Sequence, residues 1–473
     1  MPIPMVKDRR ERFFIYQVAA IAAIGGVLFG FDTGIISGAL VFIKNNFKPT
    51  TLKLELIVSS VVFGALIGAI ISGHLADIFG RKRLLFNTAL LFILGTIAAT
   101  FARHINTLIA GRLILGLAVG MASYIVPLFI AEMAPAKLRG SLVLLNAIAI
   151  TGGQAAAFLV DYILVHTHSW RLMFATSFIP ALLLLLGILF VPETPRWLVL
   201  KGKLEDAKQT LIKIRNSLQI DAELNDIKEK LNLKLGGWKE LFSKITRPVL
   251  FVGLGLGILQ QFVGINTVMY YGPTIFHTAG FQSTAADVLA TFGMGLVNTL
   301  MSIISVFIVD KLGRRQLLLG GLTVATLSLA IVGIIFHINA NSIWSRWIAL
   351  IALVTYIAGY SISIGNLFWL IISEIYPLRI RGLAMSFVTA VQWGANFIVA
   401  MSFLTIVHTF GPAITFWLYG CMCLFGIIFT FYFVPETKGI SLEQIELNLQ
   451  AGKPTKQLGM YLTQDSRIGK YIL

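Results

Sequence analysis

A chain of 473 residues that is 57% hydrophobic and only 13% charged has too little polar surface to coat a soluble globule of its size. A net charge of +16 would suit nucleic acid, but the basic residues sit in short blocks between apolar runs, which excludes that reading. No Gly-x-x-x-x-Gly-Lys-Ser/Thr loop occurs, so no nucleotide engine is visible and any solute movement would run on gradients.

Apolar runs of about 20 residues or more, the length an α-helix needs to cross a hydrocarbon core, recur along the chain. In the first half they are predicted at 13–42, 54–76, 84–102, 108–131, 142–165 and 170–191, and in the second at 249–276, 285–309, 317–336, 348–372, 383–407 and 414–434. These twelve spans, helix 1 to helix 12, define an all-α membrane protein with two six-helix bundles, 1–191 and 247–434. The first run is too long for a signal-peptide core and has no small-residue cleavage site, so it counts as helix 1. Between the bundles, 192–246 carries charges of both signs. Leu204, Leu211, Ile212, Ile214, Leu218, Leu224, Ile227 and Leu231 recur there at helical spacing, which predicts a small helical cytoplasmic linker. A polar cytoplasmic tail, 435–473, closes the chain.

The two halves are related copies. Gly73-His-Leu-Ala-Asp-Ile-Phe-Gly-Arg-Lys-Arg83 returns as Val309-Asp-Lys-Leu-Gly-Arg-Arg315, so Asp77 recurs as Asp310, 233 positions later. Ala131 to Gly140 answers Ser373 to Gly382, and Val191-Pro-Glu-Thr194 answers Val434-Pro-Glu-Thr437. With alternating helices, Lys7, Arg9, Arg10, Arg12, Arg81, Lys82, Arg83, Lys137, Arg139, Lys311, Arg314, Arg315, Arg379 and Arg381 share one side. Positive charge marks that side as cytoplasmic, with both termini. Glu132, Arg139 and Glu193, with Glu374, Arg381 and Glu436 in the second copy, place charges beside Asp77, Arg81, Asp310 and Arg314. Ion pairs between the bundles there would latch one conformation and release in another. Simple anchoring of orientation is the plainer alternative, and the two are compatible.

Asp32, about two-thirds along helix 1, is the conspicuous charge inside an apolar span, where an aspartate costs ~3 kcal/mol on insertion scales. Burial favours a neutral carboxyl and a guanidinium favours the anion, so alternating access would load and unload a proton. Arg112, near the start of helix 4, is the basic residue within reach. A fixed Asp32–Arg112 pair tying helix 1 to helix 4 is the structural alternative. In helix 7, Gln260, Gln261 and Asn266, followed by Tyr270, gather donors and acceptors of the kind sugar hydroxyls require. Asn298, Gln392 and Asn396 add further amides, and Trp369 and Trp393 add rings. Trp369 offers a stacking face, with Gly365 leaving room beside it. Bonding between neighbouring helices is the alternative for any one amide. Glycines such as Gly25, Gly26, Gly30, Gly34, Gly64, Gly68, Gly111, Gly116 and Gly120 suit either sliding or static close packing. Cys421 and Cys423 lie within helix 12 and form neither a disulfide framework nor a metal site. No cofactor or metal is expected.

These residues resemble the sugar porter family of the major facilitator superfamily, over essentially the whole chain. The match rests on Gly-x-x-x-Asp-x-x-Gly-Arg-Lys/Arg in both halves and on Pro-Glu-Thr-Pro-Arg-Trp at 192–197. It rests also on Gln-Gln-x-x-Gly-Ile-Asn at 260–266 and on Val-Pro-Glu-Thr-Lys-Gly at 434–439. Within the family the chain is most similar to bacterial xylose or glucose proton symporters. The resemblance implies sugar contacts from Gln260, Gln261, Asn266, Asn298, Trp369, Gln392 and Trp393, with Phe29 and Tyr270 as aromatic walls and Asp32 with Arg112 coupling the proton. Passive members typically have an asparagine at the Asp32 position. The chain departs at Ala147, eight residues after Arg139, where relatives usually have a sugar-binding glutamine; Gln154, seven residues on, offers an amide from the same face.

The expected function is uptake of a hexose or pentose with a proton, by alternating access, across the cell inner membrane. The expected partners are the monosaccharide, the proton and the lipid bilayer, without nucleic acid, and the chain is expected to act as a monomer. An uncoupled facilitator shares every motif. A nontransporting sensor would be expected to carry a longer signalling tail, and no cluster of nucleophile, base and oxyanion donors suggests an enzyme.

Overall fold

The computed structural model describes residues 9–135, 138–214, 220–231, 236–338 and 342–460, the side chains of 9–13, 139, 230 and 231 excepted. Among them, eleven continuous helices are long and apolar enough to cross a bilayer. They are Phe14–Phe47, Thr51–Phe79, Arg81–Thr100, Ile105–Met133, Gly140–Thr167, Trp170–Leu189, Arg247–Tyr270, Thr284–Leu312, Arg314–His337, Ile343–Ile375 and Arg381–Phe433. The last is two helices. Gly411 takes φ +84°, which a side chain would resist, and Pro412 then starts a new helix without needing a backbone donor. On the way out Gln392 packs beside Gly257, and on the way back Phe429 meets Phe251, so 381–410 and 412–433 run antiparallel. Counted separately, they bring the spans to twelve.

Four helices are interrupted within their spans, helix 6 among them at Thr176 and Ser177 between Trp170–Ala175 and Phe178–Leu189; irregular backbone occurs there only if it lines a cavity or finds partners in protein. Helix 1 breaks at Ile35, between Arg9–Gly34 and Ile36–Phe47. Helix 7 breaks at Gly264, whose φ of +89° is held with Tyr419 packed against the face a Cβ would occupy. Helix 10 carries a π turn over Ser361–Gly365, which frees the carbonyls of Ile364 and Gly365 for side-chain donors.

The glycine faces serve close packing inside one half. A Cβ on Gly30 would overlap the carbonyl oxygen of Ile150 in helix 5. Helices 2 and 4 approach in the same way through Gly64, Gly68, Gly116 and Gly120. Such contacts bring the helix backbones of the first half into close approach.

Contacts between the halves gather toward the face opposite the basic one. Glu55 in helix 2 accepts from Thr405 in helix 11, Ser59 meets Met401, and Phe63 meets Phe397 at 5.3 Å. Deeper in, Phe29 lies 5.7 Å from Trp393, Gln154 bonds Asn298, and Phe158 covers Gly295.

The segment joining the halves forms helices Pro195–Leu200, Leu204–Ile214, Ile220–Leu231 and Trp238–Leu241. Its buried stripe is Ala207, Leu211, Ile214 and Leu224, whereas Ile212 and Leu204 of the sequence reading are exposed. Leu218, and the Leu231 side chain, lie outside the described residues. In the tail, Leu442–Gln450 is helical.

Candidate functional site

Asp32 sits in the last turn before the break in helix 1 and is fully buried. Ser177 donates its hydroxyl to Oδ1 at 3.2 Å, and Oδ2 is buried without a partner. Arg112 is equally buried, but Nη1 donates to the main-chain carbonyl of Asp32 at 2.9 Å, and Nε donates to that of Ile57 at 3.4 Å. The fixed carboxylate–guanidinium pair is therefore not what joins helices 1 and 4. The tie runs through the backbone. Phe174 faces the guanidinium with its ring centroid at 5.7 Å.

Aligned with Asp32 in the second half is Asn266. Both copies share a local feature: Thr33 donates to the carbonyl of Gly30 at 2.9 Å, and Thr267 to that of Gly264 at 2.7 Å. Asn266 starts a chain of amides, donating to Gln261 Oε1 at 2.7 Å, while Gln261 donates to Gln260 Oε1 at 3.3 Å. Gln392 donates to the same oxygen at 3.1 Å, and Gln260 Nε2 donates to the Gly365 carbonyl at 2.9 Å. Gln260 is thus the hub of helices 7, 10 and 11. The space Gly365 leaves is taken by Tyr360 and not by open room beside Trp369; what Gly365 contributes is its carbonyl.

Bordering this network, Gln392 Oε1, Trp393 Nε1 and Asn396 Oδ1 are buried and unpartnered. Buried polar atoms of this kind are normally satisfied, so three together on one helix face mark a place for a polar ligand. Phe29 packs on Trp393. Gln154 joins from the other half: its Oε1 accepts from Asn298 at 3.4 Å, and Ser361 donates to Asn298 Oδ1 at 2.7 Å. Trp369 stands apart from the amides, 43% exposed, with its ring edge-on to Phe368.

Among the described residues, the charges on the basic face close within each half, not between halves. Arg81 pairs with Glu132 and Asp77, both at 3.1 Å, and Thr194 donates to Glu132 at 2.6 Å. In the second copy Arg314 pairs with Glu374 and Asp310, both at 2.9 Å, and Thr437 donates to Glu374 at 2.5 Å. Glu193 accepts the backbone N–H of Arg81 and Lys82, and Glu436 accepts those of Arg314 and Arg315, capping helices 3 and 9. Burial pushes the Glu193 carboxyl up from its usual range, against the pull of those N–H groups. Arg381 donates to the Tyr376 carbonyl, and the Arg139 side chain lies outside the described residues.

The sugar (and other) transporter family model matches residues 18–449. The chain belongs to that family. The galactose-proton symporter of Escherichia coli strain K12 is 39% identical over 464 residues, 98% of this chain and 100% of that protein. The arabinose-proton symporter of the same strain is 40% identical over 465 residues, 97% of this chain and 98% of that protein. The inward-open structure of the xylose transporter XylE from E. coli superposes with a TM-score of 0.81 at 32% identity, over 93% of this chain and 100% of that one. The two six-helix halves are the major facilitator fold, in a multi-pass membrane protein of this transporter family.

Three buried carboxyls escaped the sequence reading, one of them Asp287 at the start of helix 8, 3.4 Å from His277. Asp161 in helix 5 accepts the Gly38 N–H at 2.9 Å and so caps the second piece of broken helix 1. Glu55 reaches across the halves. Each is a lone acid within or at the edge of an apolar run, the same signal that exposed Asp32.

Proposed function

We propose that the chain is a proton-coupled uptake symporter for a hexose or pentose, acting as a monomer in the cell inner membrane by alternating access. The observation that carries the coupling is Asp32, buried in one half, with one oxygen bonded by Ser177 and the other unpartnered, where the second half has an amide. A proton resides on Oδ2. When it leaves, Arg112, fastened to the carbonyl of the same residue, balances the anion without moving. The sugar is held by Gln154, Gln260, Gln261, Asn266, Asn298 and Gln392, with Phe29, Tyr270 and Trp393 as ring walls. The unpartnered atoms of Gln392 and Trp393 supply an acceptor and a donor for its hydroxyls.

The basic face is cytoplasmic and holds both termini, by the asymmetry of lysine and arginine. The halves meet at the outer face, and the match to an inward-open relative agrees with an inward-facing form. Relatives named for galactose, arabinose and xylose set the panel of sugars to try. In proteoliposomes holding a pH-sensitive dye, addition of the preferred sugar should acidify the lumen. Sugar entry without proton entry would identify an uncoupled facilitator instead.

A further inference from the structure

Glu55 lies one turn into helix 2, at its outer end, and is 1% exposed although Lys53, two residues before it, is exposed. A carboxylate so placed is costly unless its oxygens are bonded. Both are, by one residue of the other half: the Thr405 N–H reaches Oε1 at 2.7 Å and the Thr405 hydroxyl reaches Oε2 at 2.8 Å. The contact caps a seam. Stepping by four along each helix, Ser59 meets Met401 at 3.2 Å and Phe63 meets Phe397 at 5.3 Å. One turn deeper on helix 11 come Trp393, against Phe29, and its neighbour Gln392, bonded to Gln260. The carboxylate and the amide network are thus ends of one stripe.

We propose that Glu55 is the latch of the outer face, a positioning residue that acts through helix 11 and never touches the sugar. Helices 2 and 11 must part at this end for the site to open outward. The carboxylate then exchanges two charge-assisted bonds for water, so the latch is firm when closed and releasable because its open state is solvated. Closing it sets Gln392 and Trp393 against the first half.

The inference rests on the alternating-access reading, but its test needs neither sugar nor a proton gradient. Spin labels at Asn106→Cys and Ile343→Cys, on the outer ends of helices 4 and 10 with Cys421 and Cys423 replaced, report the outer separation by pulsed electron resonance in lipid nanodiscs. Glu55→Ala should raise the ratio of long to short distances about tenfold, the worth of bonds to a charged group. Glu55→Gln, which keeps an acceptor for the N–H, should raise it less. Thr405→Ala should raise it in the parent and add nothing on the Glu55→Ala background. Distances unchanged in both Glu55 variants, or a full Thr405→Ala effect without Glu55, would overturn the latch. Should Glu55→Ala fail to fold, Glu55→Gln and Thr405→Ala carry the comparison. Failure here leaves sugar-driven proton entry untouched, and failure of that entry leaves these distances untouched.

Discussion

Arg112 donates to the main-chain carbonyl of Asp32 and leaves the carboxylate to Ser177. The guanidinium is therefore held by a group that does not titrate. Its position is independent of whether the acid next to it carries a proton, which separates the structural tie between helices 1 and 4 from the chemistry.

Asp32→Asn keeps the carbonyl for Arg112 and an oxygen for Ser177, so the fold should survive. Accumulation of labelled sugar against its gradient should be lost, while exchange of sugar across the membrane persists. Accumulation that survives in proteoliposomes with an imposed pH gradient would remove Asp32 from the coupling.

Gln260 serves Gln261, Gln392 and the Gly365 carbonyl at once. Its replacement by Ala should weaken sugar binding by ~1 to 3 kcal/mol, about fivefold to 150-fold in Kd, because partners are left buried and unbonded. Gln154→Ala, which removes a single contact with Asn298, should cost less. Calorimetric titration of both variants checks the order.

Glu193→Ala and Glu436→Ala strip matching caps from helices 3 and 9. Each should lower stability by about 1 to 2 kcal/mol, as loss of a capping acceptor does. Thermal unfolding in detergent should give similar falls for the two, since the surrounding bonds are duplicated.

Gly264→Ala forces a side chain into left-handed backbone and onto the Tyr419 ring. Little folded protein should be recovered. Gly152→Ala, facing open space, should behave as the parent in size-exclusion yield.

The repeat, the twelve spans and the amide set were legible because each is written locally, in periodicity or in a short motif. The turn at Gly411 falls in the gap predicted between 407 and 414, where one residue with positive φ replaces a loop. Asp161 and Glu55 showed as lone acids in apolar runs, but their partners, Gly38 and Thr405, lie on other helices, so what they join was not legible. At the basic face, too, partners are set by packing. Opposite charges near Arg81 and Arg314 were visible, but only packing decides that Glu132 and Glu374 belong to the same half as the arginine they meet.

The caps on helices 3 and 9 bear on how the chain is made. Glu193, Thr194 and Trp197 follow directly after helix 6, and they reach back to Arg81, Lys82, Glu132 and the Asp77 carbonyl. Everything they bind has already left the ribosome. The first half thus carries its own finishing clasp, made last and before any of helix 7 exists, so it can set as a unit during synthesis. Glu436 and Thr437 repeat the device just after helix 12, which lets each bundle mature on its own schedule before the two are joined.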